Sequence, residues 1–323
     1  MRPTGALHLG HYHGALKNWV RLQDEFDCFY FVADWHALTT HYADHADLER
    51  NVYDMVVDWL AAGIDPARAT LFIQSRLPEH AELFTLLAMG TPLAWLERVP
   101  SYKDQIRSLA GRDLATYGFL GYPLLQAADI LIYKAAFVPV GEDQAPHVEV
   151  TREVARRFNH LHGQGETVLP EPATLLTETA KLPGLDGRKM SKSYGNAIAM
   201  RDEPAEVERK VRRMQTDPQR VRRSDKGDPE RCPDWQFHAV YSDADTRAWV
   251  RTGCTTAGIG CLECKQPVID AIIREQQPWR ERAENHLSNP KQVQWIVEVG
   301  TEQARGVARA TMRKVRAAIG LNY

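Results

Sequence analysis

The chain has 323 residues, 44% of them hydrophobic and 25% charged, with a formal net charge of -2. That length supports one large or two medium domains around a sizeable core, and the near-neutral balance excludes a globally basic nucleic-acid binder. No apolar run approaches the roughly 18 residues of a membrane span, and Met1-Arg2-Pro3-Thr4-Gly5 carries no charged-then-apolar signal pattern, so a cytoplasmic protein without a membrane partner is expected.

The predicted elements alternate through the first half. A Pro3-Thr4-Gly5 turn leads into His8-Leu9-Gly10-His11, and the apolar spacing from Tyr12 to Glu25 predicts a helix. Cys28 to Ala33, rich in aromatics, predicts a strand. Asp47 to Ala62 predicts a helix and Ala69 to Gln74 a second strand, after which Pro78 opens a helix at a favoured early position. A helix from Tyr122 to Tyr133, a strand from Ala136 to Val140 and a helix from Gln144 to Phe158 follow. This alternation argues for an α/β fold, a doubly wound parallel sheet of the Rossmann-like, nucleotide-binding kind. Beyond a Gly- and Lys-rich loop at 181–196 come helices and irregular segments with no convincing strand. Thr216 to Pro233 reads as an ordered loop, and a last helix runs from about Glu302 to Ile319. The expected organisation is a catalytic domain at 1–190, a helical domain at 191–300 and a C-terminal helix at 301–323 that packs back on the first domain.

Four groups of residues carry chemistry. His8 and His11 lie three apart at the opening of a helix, so both sit near one face of its first turn. Unpaired N–H groups at such an end attract phosphate oxygens, and Gly10 permits close approach of a ligand to the backbone; a structural turn is the bland alternative. Lys189-Met190-Ser191-Lys192-Ser193 sets two lysines and two serines on a glycine-flanked loop, a pattern suited to clamping a leaving polyphosphate. Tyr122, Gln126 and Asp129 are spaced on one helix face within an apolar run, and a buried carboxylate there must find a donor. Cys232, Cys254, Cys261 and Cys264 form Cys-x21-Cys-x6-Cys-x2-Cys, whereas Cys28 stands alone in the first strand. In an intracellular chain clustered thiols suggest a metal centre before disulfides, either zinc or an iron–sulfur cluster.

The two signatures together resemble those of class I aminoacyl-tRNA synthetases. Asp34-Trp35-His36-Ala37-Leu38-Thr39, Gly121-Tyr122-Pro123-Leu124-Leu125-Gln126-Ala127-Ala128-Asp129-Ile130-Leu131 and Val138-Pro139-Val140-Gly141-Glu142-Asp143-Gln144 are similar to the tryptophanyl branch of that class, and the likeness covers essentially the whole chain. It implies an enzyme that joins L-tryptophan to tRNA(Trp) using ATP with Mg2+. It assigns His8, His11, Lys189 and Lys192 to catalysis, and Gly10, Lys103, Gly141, Asp143 and Gln144, with both signature lysines, to ATP. Tyr122, Gln126, His36, Val138 and Val140 are then tryptophan-pocket positions, and Asp129 accepts the indole N–H. The cysteine spacing is similar to that of a subset with a four-iron four-sulfur cluster, which is expected here ahead of zinc. A homodimer is also implied. A tyrosyl enzyme, a small-molecule nucleotidyltransferase and a silent RNA-binding paralogue are the alternatives.

Two further expectations concern charge and the chain start. Arg209, Lys210, Arg212, Arg213, Arg220, Arg222, Arg223 and Lys226 crowd one stretch, and Arg305, Arg309, Arg313 and Arg316 share a helix face. Both read as solvated surface or, more sharply, as RNA contacts. The resemblance also implies a central strand before the Pro-Thr-Gly turn, so the natural protein is expected to begin about ten residues upstream of Met1.

Overall fold

The computed structural model describes residues 1–99, 115–141, 145–176 and 182–323. Lys103, Asp143 and Gln144 lie outside the described residues. β1 (Cys28–Val32) and β2 (Ala69–Ile73) pair in parallel with Cys28 opposite Ala69 and Val32 opposite Ile73. β3 (Phe137–Val140) and β4 (Ala173–Leu176) form a second parallel pair, Phe137 opposite Ala173. Parallel neighbours need long crossovers, and helices supply them. The first pair is bridged by α3 (Asp34–His41) and α4 (Leu48–Ala62), the second by α8 (Ala145–His162). The Rossmann-like reading therefore holds, in the form of two separate two-stranded sheets among the described residues. Met1 pairs with β1 in the manner of a parallel neighbour: its ammonium donates to the Phe31 carbonyl at 2.8 Å and its carbonyl accepts from the Ala33 N–H at 2.8 Å.

Before β1 runs the helix that follows the first signature, as α1 (Leu9–His11), a π-helical turn (Tyr12–Leu16) and α2 (Lys17–Leu22). After β2 come α5 (Glu79–Ala88), α6 (Leu93–Glu97) and α7 (Tyr117–Leu131). α7 begins five residues earlier than the sequence pattern suggests, because the Thr116 side chain accepts from the Phe119 N–H and caps it. The C-terminal half holds α9 (Pro204–Arg213), α10 (Pro233–Tyr241), α11 (Ala244–Thr255), α12 (Cys261–Leu287) and α13 (Pro290–Ala318). No helix among the described residues is long and apolar enough to cross a membrane.

The alternation of strand side chains divides the core in two. Tyr30, Val32 and Leu71 face one cluster, and Phe29, Phe31 and Phe72 face the other. The first cluster also takes in Leu7, Met190 and Met200 together with Val211, Phe237 and Ile272. It therefore runs without a break across the expected domain boundary near 190.

α13 is longer than expected, starting at Pro290 rather than near Glu302. Asn289 caps it by accepting from the Gln292 N–H, and Val293, Ile296 and Val297 bury its first turns in the first core. The helix then crosses β2, where a Cβ on Gly300 would stand 1.9 Å from the Leu71 carbonyl oxygen. Its arginine face meets the protein. Arg305 donates to the Arg76 carbonyl at 2.8 Å, Arg309 pairs with Glu79 at 3.0 Å, and Arg316 forks onto Glu82. Three of its four arginines are held by acceptors that the sequence sets more than 200 residues away, while the Arg309 and Arg316 side chains stay largely open to solvent.

Gly300→Ala should thus lower stability by about 1–3 kcal/mol through overpacking against strand backbone, read as a lower midpoint in thermal or urea unfolding. An unchanged midpoint would mean that α13 does not lie this close to β2.

Candidate active site

Two segments nearly 190 residues apart are joined here by backbone hydrogen bonds. Leu9 N–H donates to the Ile198 carbonyl at 3.0 Å and Met200 N–H to the Leu7 carbonyl at 2.9 Å, forming an antiparallel bridge between His8 and Ala199. Leu7 is fixed further by its N–H to Asp58, whose carboxylate pairs with Arg201 at 2.6 Å. The first signature is thereby held beside the exit of the second. Lys192 lies over the opening turn: Gly5 has φ +126°, and a Cβ there would meet the Lys192 Nζ at 2.4 Å. Gly5 is thus needed for its backbone angle, while the flexible end of Lys192 can give way to a side chain.

The His8 and His11 rings stack with centroids 3.7 Å apart. His8 N–H donates to His11 Nδ1 at 3.2 Å, which leaves the His11 proton on Nε2 when the ring is neutral. Burial, reinforced by Lys192 and Lys189, brings His8 down to about 4; burial, the His8 ring and the same lysines bring His11 down to about 3. Both are neutral donors at pH 7. Gly10 has a packing role at the site as well. A Cβ there would press on the His8 ring at 3.1 Å and on Met190 Cβ at 3.4 Å, so Gly10 makes room for the imidazole.

The lysine loop is folded rather than open. Met190 is buried in the first core, and Lys189 and Lys192 on either side of it are exposed. Asn196, itself buried, staples the loop: its Oδ1 accepts from Ser191 N–H at 2.7 Å, and its Nδ2 donates to Asp186 at 2.7 Å and to the Lys189 carbonyl at 3.1 Å. Its role is absent from the sequence reading, since the partners are set by the loop's shape.

The second focus is Asp129 on α7, 3% exposed. Three side chains donate to it: His36 Nε2 to Oδ2 at 2.7 Å, His80 Nδ1 to Oδ1 at 2.6 Å, and Gln74 Nε2 to both oxygens at 2.8 and 3.0 Å. Burial alone would raise this carboxyl, but the hydrogen bonds of His36 and His80 outweigh it and hold the group near 2. Tyr122 and Gln126 occupy earlier turns of the same helix, both half-buried, and the Tyr122 hydroxyl lies 3.3 Å from His147 Nε2. Val138 and Val140 are half-buried on β3, and Gly141 follows directly. His36 and Asp129 are therefore brought into contact as expected of one pocket. Gln74 and His80, missed from the sequence, turn out to be the fully buried partners.

The four cysteines lie at helix ends within electrostatic reach of one another: Cys264 of Cys232 and Cys254, and Cys254 of Cys261. Cys232 caps α10, Cys254 ends α11, and Cys261 and Cys264 open α12. All four are reduced and half-buried. Burial, then Asp234 and the neighbouring Cys232 and Cys254, push the Cys264 thiol up; burial and Asp234 push Cys232 up to about 11; and Cys254 in turn feels Cys261. Arg220 reaches Cys254 Sγ at 3.9 Å, and the buried Lys265 ammonium caps α9 by donating to the Arg212 and Met214 carbonyls. Asp234, His238 and Cys264 also present ligand atoms within 4.8 Å of one another, two residues the cysteine spacing did not reveal. The basic stretch before them is partly neutralised: Arg209 by Glu206, Lys210 by Asp202, Arg212 by Glu208 and Arg223 by Glu263.

The family profile described as tRNA synthetases class I (W and Y) matches residues 1–274. The tryptophan–tRNA ligase of Ralstonia nicotianae is 57% identical, covering 100% of this chain and 98% of that protein. The tryptophan–tRNA ligase of Thermotoga maritima is 52% identical with the same coverage. Among solved structures, tryptophanyl-tRNA synthetase from Campylobacter jejuni, complexed with ADP and tryptophan, superposes with a TM-score of 0.87 at 32% identity, over 99% of this chain and 98% of that one.

The histidine pair makes a prediction about acid. Unfolded imidazoles take up protons near pH 6.5, whereas His8 and His11 do so only near 4 and 3. Between those values the unfolded state binds more protons, so the stability is present above about pH 6.5 and is lost as pH falls through that window. The melting temperature of His8→Asn/His11→Asn should fall less steeply from pH 6.5 to 4 than that of the parent. Parallel curves would show that the pair is not held neutral.

Proposed function

We infer that this chain, which belongs to the class I tRNA synthetases of the tryptophan and tyrosine type, is a tryptophan–tRNA ligase. The observation that carries tryptophan over tyrosine is the full-length likeness to tryptophan–tRNA ligases. The reaction activates L-tryptophan with ATP and transfers it to tRNA(Trp).

The site geometry supports a division of labour. Nucleotidyl transfer asks a protein for positioning and charge neutralisation rather than covalent chemistry. The tryptophan carboxylate attacks the α-phosphorus in line and pyrophosphate leaves. His8 and His11, neutral donors stacked at the start of α1, and Lys189 and Lys192, projecting from a loop anchored by Met190, meet the charge that develops on the phosphates. Gly10, Gly141, Lys103, Asp143 and Gln144 complete the ATP site in this reading. The terminal ribose hydroxyl of the tRNA then attacks the carbonyl carbon of the mixed anhydride, forming the ester and releasing AMP. Mg2+ accompanies the triphosphate. Among the described residues the group of three or more His, Cys, Asp or Glu that could hold an ion is at Asp234, His238 and Cys264, away from the signatures in sequence.

For tryptophan, Asp129 accepts the indole N–H, with His36, Tyr122, Gln126, Val138 and Val140 around the ring. Phenylalanine, which has no N–H to offer Asp129, is disfavoured by the loss of that hydrogen bond. Residues 191–300 serve the anticodon, with 301–323 returning to the catalytic domain at 1–190. Cys232, Cys254, Cys261 and Cys264 hold a four-iron four-sulfur cluster in preference to zinc; thiols at neighbouring helix ends, near the Arg220 and Lys265 cations, suit a thiolate-bound centre, and the spacing favours iron–sulfur. When bound, the cluster ties α10, α11 and α12 together. The protein is cytoplasmic and homodimeric in this reading. Exposed apolar side chains on the first domain, among them Met89, Leu93, Phe137 and Leu176, are the surface a second copy would cover.

Amino-acid-dependent ATP–pyrophosphate exchange, with tryptophan, tyrosine and phenylalanine offered separately, tests the assignment. Exchange with tryptophan alone is expected. Exchange driven by tyrosine would move the chain to the sister specificity. Metal analysis of anaerobically purified protein should give about four irons with matching acid-labile sulfide per chain. Stoichiometric zinc without sulfide would reject the cluster.

A further inference from the structure

Three donors surround Asp129, and they are not equivalent. Gln74 and His80 are completely buried, at 0% exposure, whereas His36 is at 8%. His80 sits between Asp129 and Tyr133, with Nδ1 2.6 Å from Asp129 Oδ1 and Nε2 2.7 Å from the Tyr133 hydroxyl. Its ring is packed against Phe31 and Phe72, and Tyr133 stacks on Phe29. Because Asp129 can only accept, Nδ1 of His80 must carry a proton. In the neutral ring Nε2 then accepts from the Tyr133 O–H, so the hydroxyl selects the tautomer that points a proton at Asp129. Gln74, bridging both carboxylate oxygens, fixes the plane of the group. A carboxylate offers about four acceptor positions, and the three donors make four contacts with it. An entering N–H must take the place of a donor that can yield, and His36 is the donor at the accessible face.

We propose that His80, oriented by Tyr133, is a positioning residue for recognition of the indole N–H, holding the Asp129 carboxylate behind the pocket with Oδ2 turned to the ligand. The proposal rests on the tryptophan-pocket reading above, in which Asp129 accepts that N–H. His80 does not touch substrate in this scheme; it acts through Asp129 from the rear of α7, from the first turn of α5. The chemistry it governs is discrimination between a ring that donates a hydrogen bond and one of the same shape that does not.

The test compares tryptophan with its benzothiophene isostere, in which sulfur replaces the ring N–H, in ATP–pyrophosphate exchange by the full chain. The parent enzyme should favour tryptophan in kcat/KM by about 10²-fold or more. In His80→Leu that ratio should collapse to within about tenfold, through a raised KM for tryptophan with the KM for ATP unchanged. His80→Asn keeps a donor near the Nδ1 position and should recover much of the ratio. Tyr133→Phe, which retains the ring packing, should lower it to an intermediate value and keeps the test open if His80→Leu fails to fold. A merely structural role would depress both substrates equally and leave the ratio intact, and that result in His80→Leu or in Tyr133→Phe overturns the proposal. A parent enzyme that does not distinguish the two substrates would instead overturn the Asp129 reading itself, and the proposal with it.

Discussion

The arrangement of this site depends on one short piece of antiparallel backbone pairing, Leu7 and Leu9 against Ile198 and Met200. Neither signature is a site alone. The first supplies two imidazoles at a helix start, the second two exposed lysines, and the pairing sets their origins at a fixed separation. Everything near it serves that register. Asp58 holds the Leu7 N–H and is itself neutralised by Arg201 one residue past the pairing, while Leu7, Leu9, Ile198 and Met200 are all buried in the same core. Backbone bonds buried among apolar side chains are costly to break.

Electrostatics divides the molecule into two regimes. At the signatures, burial and neighbouring cations keep His8 and His11 uncharged, so the site awaits negative charge with neutral donors and two lysines. At Asp129 the balance runs the other way. A carboxylate at 3% exposure remains ionised because it accepts from three side chains at once. Burying a charge is tolerable only when its acceptor positions are filled. That need explains why Gln74 and His80 are themselves fully buried rather than facing solvent.

The helical half is joined to the catalytic half through more than a linker. The π-helical turn at Tyr12–Leu16 turns His13 toward Tyr241 at 2.8 Å and Glu275 at 3.2 Å, and packs Tyr12 on Trp279. π-turns are rare and costly, and concentrate where function asks for a particular side-chain direction. Here the turn directly after the histidine signature is anchored to α10 and α12, the same helices that carry Cys232, Cys261 and Cys264. α13 closes the structure from the other side, laying Gly300 on β2 and its arginines on Glu79 and Glu82.

Local pattern determined much of this in advance. Apolar spacing located both strands of the first sheet and the crossover helices α4 and α8, and the two signatures declared phosphate chemistry, because each depends on residues adjacent in the chain or repeated at a helical period. α3 and β4 escaped notice, being short and weakly patterned, and α13 began earlier than expected because its first turns are buried by tertiary packing. The partners of Asp129 are the clearest case of what sequence alone leaves open. Asp129 is legible as a carboxylate in an apolar helix that must find donors. That the donors are Gln74 at the end of β2, His80 on α5 and His36 on α3 was decided only when the strands and helices packed. The same holds for the C-terminal arginines, whose periodicity was plain but whose acceptors lie more than 200 residues away. Periodicity and capping act over a few residues and can be read along the chain; hydrogen-bond partners are chosen across it, by whichever groups the buried core brings within 3 Å.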